Sequence, residues 1–167
     1  MDNTAFEKFS MYRFSIDYPE VCSIQFNPKL KREVGDVLFL FPDKEKIYLT
    51  WGELEKAQKK FPTVSDHAEH SIQMIRKTRT VKGLQTIARD LLTINSHPAA
   101  YTRIRLEEVR GGLLPQNKTI PHEGYSVHLH CEQSSRYFVI YTMLSQDKAP
   151  EGFDELFKLI ANSLKCH

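Results

Sequence analysis

The sequence predicts an α+β fold, an α/β/α sandwich in which a mainly antiparallel sheet of about seven to eight strands is flanked by helices. Three observations carry this expectation. Apolar and polar residues alternate in short runs through the first fifty residues and again from 86 to 144. Between these blocks, and once more at the end of the chain, the period lengthens to that of a helix. Turn-forming stretches such as PDKEK and NSHP separate the runs.

Taken in order, YRFSIDY sets Tyr12, Phe14, Ile16 and Tyr18 against Arg13, Ser15 and Asp17, the pattern of a half-buried strand that Pro19 ends. CSIQF repeats the alternation, with Cys22 as a small core residue. DVLFLF is apolar on both faces, as a strand covered on both sides should be, and IYLTW returns to period two. Thr50 and Glu53 have the spacing of a capping box before a short helix that Pro62 stops. Thr63 and Asp66 open a second helix of about four turns, with Val64, Ala68, Ile72 and Ile75 on its apolar stripe. Its end carries RKTRTVK, where cations complement the helix dipole.

TIARDLLTI and AAYTRIRLEEV then read as two strands turned at NSHP; Tyr101, Arg103 and Arg105 share one face, Thr102, Ile104 and Leu106 the other. RGGLLPQNKTIP, 110 to 121, loses all periodicity and reads as a long loop. SVHLHC and RYFVIYTML form a hairpin around EQSS. Phe153, Leu156, Phe157, Ile160 and Leu164 mark a final amphipathic helix, with Pro150 suited to its first turn.

A length of 167 residues, with no linker or repeat, suits one domain over 1–167 whose first ten or so residues are flexible. The 23 basic and 21 acidic side chains are well mixed, so the net charge of +2 gives no strong pull on polyanions, and nucleic acid is not the expected partner. The longest apolar run, VLFLF, is far too short to span a bilayer, and the N-terminus has no secretory pattern. Three widely spaced cysteines, Cys22, Cys131 and Cys166, fit reduced thiols in a cytoplasmic protein better than a disulfide framework.

The chemistry-bearing stretch is HLHCE, residues 128 to 132. On a strand, His128, His130 and Glu132 point one way and Leu129 and Cys131 the other, so the histidines could supply two metal ligands. His97, His122 and Glu132 are available as further ligands, but no spacing ties them to the pair. HAEH, 67 to 70, lacks the spacing of a zincin helix and reads as the solvated face of its helix. No G-x-S-x-G elbow, phosphate loop or dinucleotide fingerprint is present, and no cofactor is expected.

With FSIDYP near the start, INSHPAAY in the middle and HLHCEQSSRYFVIYTML before a helix ending in SLK, residues 12 to 166 resemble the PsbP-like superfamily. That superfamily includes the extrinsic P protein of photosystem II, a Ran-binding nuclear import factor and DcrB-type bacterial proteins. The resemblance implies an antiparallel sheet flanked by helices, and a non-catalytic accessory or scaffold domain that binds another protein. The residues suggested for that contact are Leu113 and Leu114, rimmed by Arg110, Gln116 and Lys118; the same two leucines could instead tuck onto the sheet. Two other functions compete. One is a metal-dependent hydrolase built on His128 and His130. The other is an anion or nucleic-acid binder using Arg76, Lys77, Arg79 and Lys82, with Tyr101, Arg103 and Arg105 beside them.

Overall fold

A computed structural model describes residues 5–110, 118–146 and 151–167. Strands β1 (Phe6–Met11), β2 (Phe14–Pro19), β3 (Ser23–Phe26), β4 (Gly35–Leu40) and β5 (Lys46–Glu53) precede helices α1 (Leu54–Gln58) and α2 (Val64–Arg76). Strands β6 (Val81–Ile94), β7 (His97–Arg110), β8 (Lys118–Cys131) and β9 (Arg136–Ser145) lead to α3 (Phe153–Asn162). Seven strands form one sheet in the order β3-β4-β5-β9-β8-β7-β6, and β1 and β2 form a separate hairpin. Every neighbouring pair is antiparallel. This is the predicted α+β sandwich.

Alternation along the strands builds two unlike layers. Val37, Phe39, Ile47, Leu49, Trp51, Phe138, Ile140, Val127, Leu129 and Tyr101 face the β1–β2 hairpin and α3, and form one large core with Phe14, Ile16 and Phe157. On the opposite face α2 packs mainly over β6 to β8, where Val64 and Ala68 meet Ala100, and Ile72 meets Ile104 and Leu106; His67 also reaches Tyr137 of β9, and α1 packs against β5 and β9. An ion pair between Arg89 of β6 and Glu69, 2.6 Å long, and a hydrogen bond from Arg89 to the Ser65 carbonyl fix α2 over this half.

Three local expectations need correction. Phe6–Met11, placed in a flexible terminus, is strand β1, because Tyr12 and Arg13 both take positive φ (49° and 67°) and close a two-residue turn that pairs Met11 with Phe14. Thr50 does not cap α1: β5 runs on through Glu53, and the Thr50 side chain turns to the Val139 carbonyl. The ladder to β9 wins over the local cap. β8 begins at Lys118, so the end of the supposed loop is a strand, with Thr119 opposite Val109 and Ile120 opposite Glu108. The Thr63–Asp66 box is present in both directions, at 3.1 Å each way. Pro150 lies outside the described residues.

Candidate functional site

The α2 face of β8 holds His128 and His130, both almost fully buried beneath α2. Each meets a side chain from the helix. Nδ1 of His67 lies 3.2 Å from Nε2 of His130, and the Ser71 hydroxyl lies 2.9 Å from Nε2 of His128. HAEH is therefore only half solvated: His70 is exposed, whereas His67 is buried and stacks on Phe61. The missing signal was the helical stripe itself, since positions 64, 67, 68, 71, 72 and 75 all fall on the face toward the sheet. His97, His122 and Glu132 are not part of this cluster; its third histidine is His67.

Burial makes these histidines poor bases. Desolvation, with neighbouring imidazoles adding to it, pushes His67 down to about 4 and His128 to about 3, and burial lowers His130 as well. Ser71 and His128 have the contact of a nucleophile–base dyad, but Nδ1 of His128 is buried and, among the described residues, has no partner to orient the ring. A base held near 3 takes no proton from a serine at neutral pH. The cluster is neutral near pH 7.

Beside it opens a groove of about 510 Å³ between α2 and the uncovered half of the sheet. Met74 and Ile75 line its helix side; Thr50, Val139, Tyr141 and Met143 line its strand side, and His128 and Thr102 lie at its depth. Tyr141 stacks on Tyr48 at 4.9 Å, and both remain partly open to solvent. Tyr137, which also lines the groove, lies against Gly52, where a Cβ would meet its ring at 2.5 Å. The Thr102 hydroxyl is buried with no partner among the described residues, so the apolar groove carries polar atoms at its base.

The other face of β8 carries Cys131, as the alternation requires, but it does not sit in plain apolar core. Cys131 is paired with Cys166 as a disulfide, so the expectation of three reduced thiols is corrected for these two; Cys22 is free and buried. A separation of 35 residues gives no hint of this pairing in the sequence. It arises because the C-terminal tail folds back beside the end of β8. Nε2 of His97 lies 3.8 Å from Sγ of Cys131, and Nδ1 of His167 lies 3.8 Å from Sγ of Cys131 and 3.5 Å from Sγ of Cys166.

The other candidates fare unequally. Arg76, Lys77, Arg79 and Lys82 are all exposed at the end of α2 and the start of β6, and the ladder sets Glu107 opposite Lys82. Arg103 and Arg105 are engaged by the buried Glu123, at 2.8 Å each. Burial alone would raise the Glu123 carboxyl, but hydrogen bonds from Arg105, Arg103 and Tyr125 bring it down to about 2. That strand face is spent on an internal carboxylate. Leu113, Leu114 and the Arg110 side chain lie outside the described residues. No described helix is long and apolar enough to cross a membrane.

No family model matches the chain, and no curated protein matches it. Among solved structures it is similar to cyanobacterial PsbP (CyanoP) from Synechocystis sp. PCC 6803, with a TM-score of 0.68 and 11% identity over 99% of this chain and 94% of that one. It is also matched to PA94 of Pseudomonas aeruginosa, a protein of unknown function, at a TM-score of 0.48 and 9% identity, covering 92% of each chain. The fold is PsbP-like.

Proposed function

Proceeding from that fold, we propose that the chain is a non-catalytic accessory or scaffold domain that binds another protein, and that the partner docks in the groove beside α2. One observation carries the reading: α2 covers only part of its face of the sheet, leaving Tyr48, Val139, Tyr141 and Met143 as a partly open aromatic and apolar floor. Tyrosine and methionine are the side chains that interfaces favour, one rigid and amphipathic, the other adaptable. A groove with one helical wall and a strand floor suits an extended or helical apolar segment. The depressed histidines at its depth argue against acid–base turnover there.

Affinity capture from the native source tests this, comparing wild type with a Tyr141→Asp, Met143→Asp double variant and with the loop variant Leu113→Ser, Leu114→Ser. Loss of one partner in the groove variant alone supports the groove. Loss in the loop variant alone moves the contact to 110–121. No partner, together with turnover in a broad substrate screen, overturns the accessory-domain reading.

A further inference from the structure

Four potential ligands converge at the corner where the β6–β7 turn, the end of β8 and the C-terminal tail meet. They are His97, Cys131, Cys166 and His167, the group of metal-ligating side chains among the described residues whose donor atoms all lie within 4.8 Å of one another. We propose that, when Cys131 and Cys166 are reduced, these four residues bind one zinc ion, and that disulfide formation releases it.

The donor set fits zinc. Two thiolates and two imidazoles are the usual composition of a closed tetrahedral zinc site, and soft sulfur ligands exclude magnesium and calcium. With Zn–S near 2.3 Å and Zn–N near 2.0–2.1 Å, the S···N edges of such a tetrahedron are about 3.6 Å. The three S···N separations seen here are 3.8, 3.8 and 3.5 Å. The two sulfurs must part to about 3.8 Å across the metal, and all four donor atoms already lie within 4.8 Å of one another. His97 is nearly buried and presents Nε2 to the Cys131 sulfur, so the ring is already in a ligating position.

The backbone holds the ligands in place whether or not the sulfurs are bonded. Asn95 and Ser96 take positive φ (47° and 69°), forming the tight turn that starts β7 at His97. The β7–β8 register pairs Ala99 with Leu129; continued by two residues, it sets His97 beside Cys131. The tail is anchored by reciprocal 2.8 Å hydrogen bonds between Ser15 and Lys165, and Arg136 donates to the Cys166 carbonyl at 3.2 Å. These contacts fix the residue before Cys166 and Cys166 itself, so the thiol and the adjacent His167 ring are presented to β8.

The two states exchange by ordinary thiol chemistry. A small-molecule or protein dithiol reduces the disulfide, giving up two electrons and itself becoming a disulfide; the two thiols formed then lose their protons to solvent as zinc binds. In the reverse direction the thiolates pass two electrons to a disulfide oxidant, which leaves as two thiols after taking two protons from solvent, and zinc departs.

The test uses the full chain reduced with a phosphine and titrated with cobalt(II) without air. The expected result is one cobalt per chain, with intense tetrahedral d–d bands and a thiolate-to-cobalt charge-transfer band that one equivalent of zinc removes. Cys166→Ser should weaken or abolish the charge-transfer band. The exposed His167 offers a variant that spares the core: His167→Ala should keep the fold and lose the four-coordinate d–d intensity. Oxidising the zinc-loaded protein should release one zinc per chain to a chromogenic chelator. Absence of a charge-transfer band at one equivalent, or a spectrum unchanged by both variants, would overturn the proposal. So would loss of the site in His128→Gln, which would place the metal under α2 instead.

Discussion

Within one short stretch of β8, two histidines go to one face of the sheet and a cysteine to the other, and the two destinations differ in chemistry. Beneath α2, His128 and His130 meet His67 and Ser71 in a desolvated, neutral cluster next to an open groove. Behind the sheet, Cys131 meets His97, Cys166 and His167 at the edge of the large aromatic core. Adjacent positions on a strand thus share no environment. The histidines are held by a helix that leaves half its face uncovered; the sulfurs are held by a tail pinned from two sides. The first arrangement suits recognition, the second a covalent or metal clamp.

The sharpest way to break the comparison is to attack the layer that holds the clamp. Phe157 is fully buried among Tyr125, Phe153 and the sheet. Phe157→Asp should cost more than about 4 kcal/mol, enough to remove a cooperative urea transition. An unchanged transition would mean that α3 does not seal this face.

Next in size is the clamp itself. Closing a loop of 35 residues is worth roughly 4 kcal/mol in the chain-entropy view. With chelator present and reductant absent, Cys166→Ser should lose about that much in urea, and reductant should bring wild type down toward the variant. A wild type indifferent to reductant would show the pair carries no stability.

The histidine side answers to pH. Unfolded histidine titrates near 6.5; His67 and His128 in the fold titrate at about 4 and about 3. Because the folded values are depressed, the unfolded chain takes protons first, so stability is full above 6.5 and falls as pH drops toward 4. Each ring should account for about 2 to 3 kcal/mol of loss between pH 7.5 and 4.5. His128→Gln should flatten the profile by that amount, read from urea midpoints at the two pH values. An unflattened profile would mean that His128 is already solvated.

What the sequence disclosed divides along the same line. Period and capping placed α2, α3 and most strands, because each signal lies within a few residues: Thr63 with Asp66, Phe153 with Phe157. The opposite faces of His128 and Cys131 followed from alternation alone. Their partners did not. His67 comes from a helix 61 residues before His128, and Cys166 reaches Cys131 from a tail that is paired with Ser15. Such meetings depend on topology, which no local spacing encodes. The strand β1 was missed for a smaller reason: its six residues carry only two buried or half-buried aromatics, Phe6 and Phe9, too short a run to reveal its period.

The smallest effect on stability should come from the groove, and it is the most informative about function. Tyr141 is 39% exposed, so its ring already spends much of its surface in water, and its chief intramolecular contact is the stack on Tyr48. Tyr141→Asp removes that stack but buries no unpaired charge, since the new carboxylate can stay solvated at the groove mouth. The loss should stay within about 1 kcal/mol. Affinity for an apolar segment should respond far more, because the charge would have to be desolvated by the docked partner. Urea denaturation and partner binding measured on the same preparation separate the two. If stability and binding fell together, Tyr141 would be a packing residue of the sheet, and the contrast between an open α2 face and a sealed opposite face would no longer hold at this position.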